Sequence, residues 1–159
     1  MKILFIIISF YLSLLSDVKF TETKYLSALD IEMTKKGIMN LSNNILTLNY
    51  TKPSIEVVKY YEDKLTLQDD KNELKEYTYE EYPKIEYFGL LIKSIVNNNY
   101  ENLDNMFEIK KEKNKRILTA KSSVSGTIDY LEVFNKDTKL SSIIFYMIND
   151  DKITIETTN

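Results

Sequence analysis

Pro83-Lys84-Ile85-Glu86-Tyr87-Phe88-Gly89-Leu90-Leu91-Ile92-Lys93-Ser94-Ile95-Val96 breaks the rhythm of the rest of the chain. Ile85, Phe88, Leu91, Ile92 and Ile95 recur at steps of three and four, so they form one apolar stripe on a helix. Pro83 suits the first helical position, where its missing N–H has no partner to lose. Asn97-Asn98-Asn99 stops the helix. Leu103, Met106 and Phe107 continue the same spacing, which predicts a second, shorter helical piece before Phe107.

On either side the pattern has period two, which sorts side chains onto the two faces of a sheet. Leu46, Leu48 and Tyr50 alternate with Ile45, Thr47 and Asn49, and Ile55 and Val57 alternate with Glu56 and Val58. Leu65 and Leu67 follow. After the helix, Ile128, Tyr130 and Phe134 alternate with Thr127 and Asp129. Ile144, Tyr146 and Ile148 share one face, Ile143, Phe145 and Met147 the other, and Ile153 and Ile155 close the pattern. Turn-forming clusters separate these runs: Ser42-Asn43-Asn44, Asp69 to Asn72, Lys113-Asn114-Lys115, Asn135-Lys136-Asp137 and Asn149-Asp150-Asp151. Short turns between strands imply an antiparallel sheet. The expected order is four to six strands, a helical insert, then four or five strands. The expected class is α+β, a segregated helix packed on an antiparallel sheet.

Composition narrows the chemistry. The chain has 159 residues, enough for one domain, with 43% apolar and 28% charged side chains, the balance of a folded protein. Twenty-four acidic against 21 basic residues give a net charge of −3, which argues against nucleic-acid binding. There is no histidine, cysteine or tryptophan. That removes the usual zinc ligands, imidazole acid–base chemistry, Ser-His and Cys-His nucleophiles, disulfides and a lipid-modified cysteine. No spacing singles out a Ser-Lys or paired-carboxylate site. No catalytic residue, metal or cofactor is expected, and the protein is not expected to be an enzyme.

Lys2 followed by the apolar run Ile3 to Leu15 reads as a secretory signal peptide, too short to span a bilayer comfortably. Residues 1–16 form that signal, with cleavage near Ser16, and 17–159 the mature domain. The expected location is the periplasm.

The order of parts resembles the LolA-like family of outer-membrane lipoprotein carriers, as a short, divergent member. Phe20-x-Glu22-x-Lys24-x-Leu26, leading through Leu29 to Gly37, is similar to that family's opening. Leu46 to Pro53 looks like its strand ending in a Trp-x-x-x-x-Pro signature, with Leu48 at the Trp position. Phe88-Gly89-Leu90-Leu91, then Asn98 to Phe107, looks like its Leu-Leu…Gly-Asp passage. Ile144-Phe145-Tyr146 followed by Asn149 to Ile155 looks like its closing hairpin. The resemblance implies a curved antiparallel β-sheet, an incomplete half-barrel, with helices covering its concave apolar face, and a cavity between them that takes acyl chains as an acylated cargo (lipoprotein or glycolipid) passes from an inner-membrane donor complex to an outer-membrane acceptor. Main-line carriers have an Arg-Pro pair where this chain reads Ser42-Asn43, and its single arginine is Arg116, so their lid latch does not carry over.

The residues assigned to the cavity are Leu46, Leu48 and Tyr50 on one strand face and Phe88, Leu91, Ile92 and Ile95 on the helix stripe. Each also suits plain core packing. The cluster Tyr60, Tyr61, Tyr77, Tyr79 and Tyr82 suits either a cavity rim or edge strands. Lys110 to Arg116 reads as a solvated hairpin. A monomer is expected. The alternative function is a periplasmic lipid-sensing or protein-interaction module on the same fold, without transport.

Overall fold

The computed structural model describes residues 17–158, so the expected signal peptide lies outside the described residues. Six strands come first: β1 (Val18–Leu26), β2 (Ile31–Ser42), β3 (Ile45–Lys52), β4 (Glu56–Tyr60), β5 (Lys64–Gln68) and β6 (Leu74–Thr78). Helix α1 (Pro83–Val96) and a single 3-10 turn (Glu101–Leu103) follow. Five strands complete the chain: β7 (Phe107–Lys111), β8 (Lys115–Ala120), β9 (Ile128–Lys136), β10 (Lys139–Met147) and β11 (Lys152–Thr158).

All eleven strands form one antiparallel sheet in the order β6-β5-β4-β3-β2-β1-β11-β10-β9-β8-β7. Every pairing but one joins chain neighbours. The exception is β1 with β11, where Phe20 lies opposite Thr157 and Lys24 opposite Ile153. The turns use residues that tolerate positive φ. Asn43 and Asn44 are both positive between β2 and β3, as are Asp137 and Thr138 between β9 and β10, which is what two-residue type I′ hairpins demand.

The expected α+β class is corrected. Among the described residues 56% are strand and 12% helical, the sheet is open, and there is one α-helix where several were expected. The protein is mainly β. Leu103, Met106 and Phe107 do not make a second helix. Asn98, at φ 51°, ends α1, while the Asn99 and Asn98 N–H groups donate to the carbonyls of Ser94 and Ile95. Too few residues remain to nucleate another helix, and Phe107 is taken up by β7 opposite Ala120.

Two expected faces also change. Ile55, expected to alternate within a strand, precedes β4 and is exposed, and in β4 Val58 and Tyr60 point inward. In β9 the register shifts, because Tyr130 pairs with Tyr146 but Ile128 with Met147. That bulge puts Ile128, Leu131 and Val133 in the core and turns Tyr130 and Phe134 outward. The outward Tyr130 and Tyr146 rings stack at 4.3 Å, which explains why β10 is apolar on both faces.

Helix α1 lies on the buried face. The Phe88 ring is 6.2 Å from Tyr60 on β4 and 5.1 Å from Phe145 on β10. Those two rings are therefore within about 12 Å of each other, whereas five spacings of a flat sheet would set β4 and β10 about 24 Å apart. The sheet curls around the helix. Close approach depends on glycine at two places. A Cβ at Gly89 would lie 2.5 Å from Cδ1 of Tyr60. One at Gly37 would run into the backbone oxygen of Asn49 and the ring of Phe20, which reaches over Gly37 to meet Tyr50 edge-on at 5.4 Å.

Gly89→Ala should therefore lower stability by a net ~1–2 kcal/mol, as overpacking outweighs the helix propensity gained. Gly37→Ala should cost more, since a backbone oxygen cannot rotate away. Gly126→Ala, whose Cβ would meet nothing within 4 Å, should change stability by no more than about 0.5 kcal/mol. Urea denaturation of the three variants measures this; an unchanged midpoint for Gly89→Ala would mean that α1 is not seated on Tyr60.

Candidate functional site

The two flanks of α1 face different surroundings. On one flank an apolar cleft of about 290 Å³ lies between the helix and the β9-β10-β11 half of the sheet. Its floor is Ile128, Phe145, Met147 and Ile153. Pro83, Tyr87 and Phe88 form the helical wall, and Val124, Gly126 and Thr127 of the β8–β9 connection form the other. That connection is held in place by backbone bonds from the Ser125 N–H to the Lys121 carbonyl and from Ile128 N–H to the Val124 carbonyl.

On the other flank, Glu86, Leu90, Lys93 and Asn97 line a polar cleft of about 270 Å³ with Glu62, Tyr79, Asn44, Asn99 and Asn102. Lys93 is buried there. Its ammonium donates to the Tyr61 carbonyl at 3.1 Å, and the Tyr79 hydroxyl donates to the same oxygen at 3.2 Å. Desolvation holds the Lys93 pKa below its ordinary value, partly offset by Glu62.

Of the seven residues assigned to the cavity, Phe88 lines the apolar cleft. Leu46, Leu48 and Tyr50 on β3 and Leu91, Ile92 and Ile95 on α1 are all packed in the core, with Leu46 and Leu91 fully inaccessible. Sequence reasoning missed Val124 and Gly126, which belong to no periodic run. It did mark Ile128 and Ile153 as apolar strand positions, but alternation does not say which strands the helix leaves uncovered.

Polar side chains collect at one end of the same sheet face. The Tyr50 hydroxyl donates to Glu22 at 2.6 Å. Lys35 pairs with Glu56 at 3.2 Å, and its ammonium sits 4.8 Å from the centre of the Tyr50 ring. Burial, then the Glu22 charge, pushes the Tyr50 phenol far above its usual range, and the same causes raise Tyr60. Tyr79 is pushed up to about 12, by burial and then by Glu86 and Asp63. Arg116 stacks on Tyr100, 4.5 Å from the ring centre, and ties the segment after α1 to β8. Within the described residues, no group of three or more Asp or Glu is placed to hold a metal ion.

The fold and the cleft define a class: an open, curled antiparallel sheet that shelters an apolar cleft beside a crossing helix. No protein-family model matches the chain, and no curated protein matches it. Among solved structures it is similar to a DUF1329 family protein from Desulfovibrio piger, at 8% identity and a TM-score of 0.40, covering 90% of this chain and 83% of that one.

The raised phenols set an alkaline limit. Above pH ~10 the unfolded chain releases tyrosine protons that the folded state retains, so stability should hold below pH 10 and fall above it. Tyr50→Phe should flatten part of that fall in denaturant titrations between pH 8 and 11. A slope identical to that of the unaltered protein would show that the Tyr50 phenol does not contribute.

Proposed function

We propose that this protein is a periplasmic acyl-chain carrier of LolA-like type. It holds an acyl chain of a lipoprotein or glycolipid in the cleft beside α1, takes it from an inner-membrane donor and passes it to an outer-membrane acceptor. It acts as a monomer, without catalysis and without a cofactor.

The observation that carries this reading is the cleft. It is bounded mainly by apolar side chains and open to solvent, and it lies on the concave side of a curled sheet. At about 290 Å³ it sits at the low end of ordinary small-molecule sites, roughly 300–1,000 Å³, which suits one chain better than several. Each methylene buried there would gain about 0.8 kcal/mol. Such binding needs no polar group and no reactive residue, consistent with a chain without histidine or cysteine. The opening resemblance, carried by Phe20 to Gly37 and by Leu46 to Pro53, points to the same activity.

Gly126→Phe tests the reading without disturbing the core, because Gly126 lines the cleft and has open space at its Cβ position. The variant should keep its unfolding midpoint and lose at least about tenfold in affinity for decanol, roughly 1.4 kcal/mol or two buried methylenes. Displacement of Nile red from purified residues 17–159 measures this. Decanol affinity unchanged in Gly126→Phe would place the acyl chain elsewhere, and absence of any saturable displacement from the unaltered protein would refute the carrier reading.

A further inference from the structure

The apolar cleft has a charged mouth. A second recess of about 360 Å³ adjoins it and shares Lys84, Gly126, Thr127, Met147 and Ile153 with its lining. The recess adds Lys24, Ile148, Asn149 and Asp151.

Lys24 is out of place for a merely structural residue. On β1 it lies across from Met33 of β2 on one side and Ile153 of β11 on the other. Ile153 in turn pairs with Phe145, the floor of the cleft. A half-buried lysine thus interrupts an apolar row on the helix-covered side of the sheet. Lys84 stands at the start of α1, above the same recess.

The acidic groups nearby are engaged with other partners. Asp151 accepts from the Ser27 N–H at 2.9 Å and from the Asn149 side-chain amide at 2.9 Å. Glu22, two residues before Lys24 on the same face, accepts from the Tyr50 hydroxyl. Among the described residues neither Lys24 nor Lys84 takes part in an ion pair.

From the juxtaposition of an apolar cleft with two unpaired ammonium groups at its mouth, we infer that the acylated cargo carries an anionic group, a carboxylate or a phosphate, next to the chain it inserts: the chain fills the cleft and the anionic group sits between Lys24 and Lys84. This rests on the acyl-binding reading and narrows it. A neutral or cationic head of the same chain length gains nothing from the lysines, so the mouth selects among acyl compounds that the cleft alone would treat alike.

The test compares decanoate, decyl phosphate, decanol and decyltrimethylammonium as competitors of Nile red on purified residues 17–159 at low ionic strength. Both anions should bind about tenfold more tightly than decanol, the size expected of two exposed charge contacts, and the cation should bind more weakly than decanol. In the double variant Lys24→Gln, Lys84→Gln the ratio of anion to decanol affinity should fall from about ten to about one. Anion affinity rising with only one of decanoate and decyl phosphate would assign the head to that group. Equal affinity for decanol and both anions, or a preference surviving in the double variant, would overturn the inference while leaving acyl binding intact. Failure of all four to displace the probe would instead remove the acyl-binding reading, and this inference with it.

Discussion

The pairing of β1 with β11 is the constraint on which everything else rests. The eleven strands could form two separate meanders, β1 to β6 and β7 to β11, from local hairpins alone. The ladder from Lys19 opposite Thr158 to Tyr25 opposite Lys152 welds those meanders into one sheet. It also places β6 and β7, which are consecutive strands in the chain, at opposite edges. The segment between them must therefore travel from one edge of the sheet to the other. Helix α1 is that crossing, and its apolar stripe lets it cross against the sheet face. The position of the cleft follows, since it occupies the space where the helix and the β9-β10-β11 half diverge.

The local levels of this arrangement were legible in the sequence. Alternation found β3, β4, β5, β9, β10 and β11, clusters rich in asparagine and aspartate marked five of the hairpin turns, and the spacing from Ile85 to Ile95 found the helix. The errors arose where a nonlocal term decides. The bulge at Asp129 exchanges the two faces of β9 midway, and no residue type announces it. Phe107 has helical spacing from Leu103, yet a strand partner at Ala120 outweighs that local preference. Leu46 and Ile92 were assigned to the cavity and both are buried between helix and sheet, where a side chain can be sealed in the core or open to a cleft. Which of the two occurs depends on how far the helix stands off each strand. Gly89 decides that distance on the β4 side by letting the backbone of α1 settle on Tyr60, whereas on the β10 side the helix reaches Phe145 through the Phe88 ring.

Burial and charge are therefore distributed unevenly around one helix. The C-terminal half is enclosed nearly all round, to the point that Lys93 must satisfy its ammonium with a backbone carbonyl. The N-terminal half stands over open apolar surface. Tyr82 gives that end no side-chain cap, and Lys84 and Lys24 lie close by. The tightly packed end anchors the helix, and the loosely packed end forms the wall of the cleft.

An open sheet carries a further obligation. β6 and β7 each have a strand on one side only, so each leaves a row of backbone donors and acceptors able to recruit a strand from another molecule. Both are short, with five residues apiece. β6 carries Lys75 and Glu76, and β7 carries Glu108, Lys110 and Lys111. Brevity and charge at the two margins make edge-to-edge stacking unfavourable. A sheet that curls without closing can then keep its cavity accessible from the side and still resist growing into a fibre.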